Sequence, residues 1–165
     1  MLTAARTSEV LGARWDEISV TERLWTVPAV RMKAKREHRV PLSERSLTLL
    51  TRARELAAGS SFVFPGRSGE RPLSNMVFLM LLRRMNLSIT AHGFRSSFRD
   101  WAGERTSLPR EVAEMALAHA VENRTEAAYA RSDLLERRRE LMEQWTAHVM
   151  SEPTSGSVVR NTSVS

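Results

Sequence analysis

His92-Gly93-Phe94-Arg95-Ser96-Ser97-Phe98-Arg99-Asp100-Trp101-Ala102 (HGFRSSFRDWA) reads as a helix with two faces. Phe94, Phe98 and Trp101 fall at i, i+4 and i+7, so they share one side and make a core stripe. His92 and Arg95 stand at i, i+3, and Arg99 follows Arg95 at i+4, so these three share roughly the other side. A titratable imidazole beside a fixed cation, both aimed away from the core, suits a phosphate. A solvated basic face is the other reading of the same spacing. Thr90 is expected to open this helix.

Downstream, Pro109 fits the first turn of a helix with Val112, Met115 and Ala116 inward. Asn123 is expected to cap a short helix through Tyr129. Asp133 then caps a last helix striped by Leu134, Leu141, Met142 and Trp145, with the run Arg137-Arg138-Arg139 in solvent. Residues 151–165 are rich in Ser, Thr and Gly and read as a disordered tail.

Upstream, Ser74 is expected to cap a helix whose middle, Met76 to Leu82, is apolar all round and so reads as buried. Ser43 caps an earlier helix, with Glu44 in its first turn and Leu47, Leu50, Ala53 and Ala57 on one face; Gly59 stops it. Leu24–Val27 and 38–42 read as strands joined by a basic loop, Arg31–Glu37, and Phe62–Phe64 as a third short strand. Met1 to Gly12 reads as helix. The fold class is mainly α with a small three-stranded antiparallel β-sheet, an α+β domain.

The chain has 165 residues, 25 Lys and Arg against 19 Asp and Glu, a formal charge of +6, and no cysteine. That excludes a disulfide scaffold, a thiolate zinc site and a cysteine nucleophile. Met76–Leu82 is far short of the ~18 apolar residues a membrane span needs. Charges at Arg6, Glu9, Arg14, Asp16 and Glu17 leave no signal-peptide core in the first twenty residues. The positive balance favours a polyanion as partner.

Other candidate positions are bland one by one. Arg6 and Glu9 stand at i, i+3, either as an ordinary ion pair or with Glu9 orienting the Arg6 guanidinium toward a phosphate. The loop residues Lys33, Lys35 and Arg36 read as a solvated turn or as DNA contacts. His119 and Tyr129, the sole tyrosine, complete the set. His38, His92, His119 and His148 lack HExxH-type spacing, and neither a Walker A loop nor a GxSxG motif occurs.

Their order is informative. Arg6-Thr7-Ser8-Glu9, Lys33, His92-Gly93-Phe94-Arg95, Leu117-Ala118-His119 and Tyr129 together resemble the catalytic set of the tyrosine recombinases, the phage-integrase family. The phrases ARTSEVLGARWDEI (5–18), RMKAKREHRVPLS (31–43) and REVAEMALAHAVENRTEAAYARSDLLERRRELMEQW (110–145) are similar to satellite-phage and genomic-island integrases. The match covers about residues 1–148.

The resemblance implies the catalytic fold of a DNA breaking-rejoining enzyme over 1–150, without its first helices and without upstream core-binding and arm-binding domains. Two expectations follow for function: site-specific DNA recombination in the integration or excision of a mobile element, or, as the alternative, a catalytically silent integrase remnant that at most binds DNA non-specifically. It implies that Arg6 and Arg95 clamp the scissile phosphate and that His92 assists as proton acceptor or phosphate ligand. Lys33 would protonate the leaving 5′-hydroxyl, with Lys35 as fallback. His119 would donate to the phosphate, and Tyr129 would attack phosphorus to give a 3′-phosphotyrosyl link. Glu9, Lys35, Arg36 and Arg99 would support these groups or contact DNA. No metal or other cofactor is implied. The implied partners are double-stranded DNA at attachment sites, further copies in a tetramer, and accessory DNA-bending or excision factors. The implied setting is the bacterial cytoplasm, at the nucleoid.

Overall fold

Leu24, Trp25 and Val27 are buried on a strand that has a neighbour on each side, and the sheet grows from it. The computed structural model describes residues 1–119 and 133–151. Strand β2 (Leu24–Val27) lies between β1 (Ile18–Ser19) and β3 (His38–Pro41), all antiparallel. Leu24 faces Pro41 and Val27 faces His38. The helices are α1 (Thr7–Leu11), α2 (Glu44–Leu56), α3 (Met76–Arg84), α4 (Gly93–Arg105), α5 (Arg110–Ala116) and α6 (Leu135–Met150).

Two apolar clusters hold the molecule. Trp25, Val27, Met32, Val40, Leu42 and Val63 form one, against which Leu47, Leu50 and Ala53 of α2 pack. Phe98, Ala102, Val112, Ala116, Leu141, Met142 and Trp145 form the other, between α4, α5 and α6. Phe98 meets Trp145 edge to face, 5.4 Å between centroids at 81°, a geometry worth ~0.5–1.5 kcal/mol beyond its buried area. Helix α6 therefore packs onto its own chain. Its Thr146 hydroxyl bonds to that of Ser43 at 2.9 Å, joining the two clusters.

Several expected elements stand. The Ser43 hydroxyl accepts from the Ser46 amide at 3.3 Å and so caps α2. That helix ends at Leu56, and Gly59 takes φ +84, a left-handed turn that glycine adopts without penalty. Pro109 immediately precedes α5, although Ala113 rather than Met115 is the buried residue beside Val112 and Ala116. The Asp133 carboxylate accepts from the Leu135 amide at 3.2 Å at the start of α6.

Others are corrected. Residues 1–12 are not one helix: Ala4 is left-handed, Arg6 is extended, and only Thr7–Leu11 is helical. Phe62–Phe64 is not the third strand. Phe62 makes a single bridge to Arg14, and Pro65, which lacks an amide hydrogen, pairs with Pro72 across a turn. The third strand is Ile18–Ser19. In α3 only Leu82 is buried, while Met76, Leu79, Met80 and Leu81 are exposed. Arg138, expected in solvent, is 2% exposed. The Asn123–Tyr129 helix and all but the first residue of the tail lie outside the described residues. No described helix is long and apolar enough to cross a membrane.

Candidate active site

Glu9 is the buried hub of the site. Arg6 precedes α1 in an extended conformation, and Glu9 reaches back one turn to it. The Arg6 amide donates to Glu9 Oε2 at 2.8 Å, and Arg6 Nη1 donates to Glu9 Oε1 at 2.8 Å. Both carboxylate oxygens thus fix one residue, its main chain and its side chain together. The Glu9 side chain is 2% exposed and that of Arg6 is 27%. The guanidinium is held from behind and keeps an open side.

Arg95 is held differently. It lies on α4 but not on a solvent face, being 7% exposed. Nη1 donates to the Ala4 carbonyl and Nη2 to the Leu117 carbonyl at 2.7 Å, so α4 is tied to the chain ahead of α1 and to the end of α5. Nη2 also lies 3.4 Å from His119 Nε2. A guanidinium has five N–H bonds. Three are engaged here, and two have no partner among the described residues. Burial lowers the Arg95 pKa, Arg6 lowers it further, and Glu9 opposes both. Arginine nonetheless stays charged.

His119 follows α5, and its Nδ1 lies 2.5 Å from Glu114 Oε2. A carboxylate can only accept, so Nδ1 carries a proton, and in the tautomer protonated there Nε2 accepts from Arg95. To donate to a ligand from Nε2 the ring must carry a proton on both nitrogens. A helical-spacing search misses Glu114 because it is five residues from His119.

His92 immediately precedes α4. Its carbonyl accepts the Arg95 amide at 3.0 Å, while its side chain is exposed. It is one turn from Arg95, exposed where Arg95 is buried. Arg99 is exposed and lies 3.7 Å from Asp100. Lys33, Lys35 and Arg36 are exposed on the β2–β3 connection and make no hydrogen bond with described side chains. Tyr129 lies outside the described residues. The structure thus gathers Arg6, Glu9, Arg95 and His119, and leaves His92, Arg99 and the loop cations at the rim.

His38 is a buried neighbour that the sequence reading passed over. Strand alternation turns it inward with Val40. Burial pushes its pKa down to about 4; Arg138 and Arg6 add to this, while Glu9 and the Ala116 carbonyl oppose it. His38 is therefore neutral near pH 7. Among the described residues no group of three or more His, Asp or Glu is placed to hold a metal.

Comparison with known proteins decides the family. Residues 1–136 match the phage integrase family. The chain belongs to this family. It is 40% identical over 162 residues to the prophage integrase IntA of Escherichia coli (strain K12), covering 96% of this chain and 39% of that protein. It is 32% identical over 167 residues to the integrase of Enterobacteria phage P4, covering 90% and 38%. The crystal structure of XerA recombinase superposes with a TM-score of 0.60 at 13% identity, over 92% of this chain and 55% of that one. The fold is thus that of a tyrosine-recombinase catalytic domain. This integrase-family chain spans about two fifths of the length of the curated relatives it matches.

Proposed function

We propose that this chain carries the strand-transfer chemistry of a site-specific recombinase acting on double-stranded DNA in the integration or excision of a mobile element. One observation carries the proposal. Two guanidiniums and an imidazole meet at one place, where Glu9 pairs with Arg6 and Arg95 has no carboxylate in contact among the described residues. A phosphodiester gains negative charge in its pentacoordinate transition state, and donors fixed beforehand stabilise that charge without reorganising.

In this reading the Tyr129 oxygen bonds to phosphorus as the bond from phosphorus to the 5′-oxygen breaks. Arg6 and Arg95 hold the non-bridging oxygens, and His119 donates a third hydrogen bond. Lys33 gives its proton to the departing 5′-oxygen, and His92 takes the phenolic proton. A phenol with a pKa of ~10 is a weak nucleophile at neutral pH, so that acceptor and the cationic surroundings both count. The ester conserves the energy of the broken bond, and the hydroxyl of another strand reclaims it. Lys35, Arg36 and Arg99 would contact flanking phosphates. The full-length protein would act as a tetramer on DNA with accessory bending factors, at the bacterial nucleoid.

The test is a nicked suicide duplex, on which cleavage traps a covalent adduct. The chain, set in a full-length context, is expected to give an adduct that Tyr129→Phe abolishes. No adduct, or one that survives Tyr129→Phe, overturns the proposal.

A further inference from the structure

The β2–β3 loop that carries Lys33 is exposed, but its root is buried. Met32 is 2% exposed and packs with Val27 and Val40. Arg31 reaches the other way. Its Nη1 donates to the Glu9 carbonyl at 3.2 Å and its Nη2 to Glu17 Oε2 at 2.5 Å. Glu17 Oε2 also accepts from the Trp25 indole at 3.0 Å and the Arg14 amide at 3.2 Å. The guanidinium lies against Gly12, where an added Cβ would stand 2.5 Å from Nη1.

Arg31 thus ties three pieces of chain together: α1, the turn before β1, and the start of the loop. Glu9 serves both ends of this arrangement. Its carboxylate holds Arg6 and its carbonyl holds Arg31. Lys33 is two residues beyond Arg31, a reach of at most ~7 Å along the main chain. Hydrogen bonds from a charged donor are roughly twice as strong as neutral ones, so this tether is a firm one.

We propose that Arg31 is a positioning residue for strand transfer: it fixes the root of the Lys33 loop to the helix that begins at Arg6, so the proton donor and the phosphate clamp share one frame. This rests on the reading of Lys33 as the acid. A clamp acts on the phosphate throughout the reaction, whereas the acid must meet one oxygen as it leaves. Fixing the root while leaving the tip free supplies both registration and reach.

Two variants test it. Arg31→Gln removes the tether's charge. Gly12→Ala leaves every charge in place but pushes the guanidinium away, at a φ of −84 that alanine tolerates. The first readout is amide hydrogen exchange in the 165-residue chain. Both variants are expected to speed exchange of the Arg31, Met32 and Lys35 amides, which bond to the Pro28, Ala29 and Met32 carbonyls at the loop root, by about tenfold, with Val27 and Val40 unchanged. The second is single-turnover cleavage of the suicide duplex with an ordinary 5′-oxygen or a bridging 5′-sulfur at the scissile bond. A thiol has a pKa of ~8.5 and leaves as thiolate without an acid. Both variants are expected to be slower on oxygen by roughly 10²-fold, the order of loss from an ångström of misplacement, and near wild type on sulfur.

Equal slowing on both substrates, unchanged loop exchange, or faster exchange throughout the sheet overturns the proposal. If Lys33→Ala itself slows both substrates alike, the acid reading fails and takes the catalytic part of this proposal with it. Exchange then decides whether Arg31 holds the loop. If the wild type gives no adduct, the proposed function fails, and exchange again decides the tether.

Discussion

Arg95 and Arg138 are both buried arginines that staple separate pieces of chain through main-chain carbonyls. Arg138 reaches the carbonyls of Asp133 at 2.7 Å and Arg39 at 2.6 Å, and its Nη2 lies 3.0 Å from the Asp133 carboxylate. Arg95 reaches the carbonyls of Ala4 and Leu117 and the His119 ring, none of them an anion. Burial lowers the pKa of each. For Arg138 the upward pull of Asp133 outweighs the downward push of Arg39, whereas for Arg95 the downward push of Arg6 outweighs the upward pull of Glu9. One charge is answered inside the protein, and the other is left for an anion. Keeping a buried cation without a counter-ion in contact is costly. The cost is intelligible where an anionic ligand completes the set.

The largest expected effects follow from that contrast. Arg95→Ala should reduce strand cleavage by roughly 10²–10³-fold, as loss of a fixed transition-state donor does. Arg138→Ala should instead lower stability in urea by about 3 kcal/mol, through the unpartnered carbonyls of Asp133 and Arg39 and the space left by a buried side chain, while folded molecules cleave at near wild-type rate. Cleavage by folded Arg138→Ala as poor as that of Arg95→Ala would erase the distinction between the two arginines.

His38 lies between these regions, since Arg138 and Arg6 both depress its pKa. Its folded value of about 4 is below the ordinary 6.5. Between the two the unfolded chain binds the extra proton, so stability rises with pH there. The His38 contribution is complete above about pH 6.5 and is lost as pH falls toward 4, with a slope of at most ~1.4 kcal/mol per pH unit. Urea melts from pH 7 to 5 should show the wild type losing stability faster than His38→Gln. Parallel curves would mean that His38 is protonated in place.

Much of this architecture is legible in the sequence because it is local. The Phe98 and Trp101 spacing, the Ser43 cap, the two longer strands and the pairing of Arg6 with Glu9 each involve residues within one or two turns or within one hairpin. What escapes is set by partners far along the chain. Strand β1 is two residues long and exists because Ile18 and Ser19 meet Trp25 and Leu24. Arg95 reads as a surface cation until the carbonyls of Ala4 and Leu117 close on it. Arg31 reads as one more loop cation, and Gly12 with Glu17 shows otherwise. Carbonyl acceptors leave no signature in side-chain patterns, so a buried arginine and a solvated one are written alike.

Met80 is the converse of Arg138: apolar by sequence yet 49% exposed, where the arginine is charged yet 2% exposed. Composition alone would rank Met80→Gln as the more damaging of the two substitutions. Hydrophobic stabilisation scales with the area removed from water, and here half of that area was never removed. Met80→Gln is therefore the smallest effect expected, within about 0.5 kcal/mol of wild type in urea, as for other surface substitutions. A loss of about 2 kcal/mol or more would place Met80 in a packed core. The exposed face of α3 would then be covered in the isolated chain in solution. Should the small loss be found, burial on α3 and α6 alike follows from which elements close over each face, and the letters alone do not decide it.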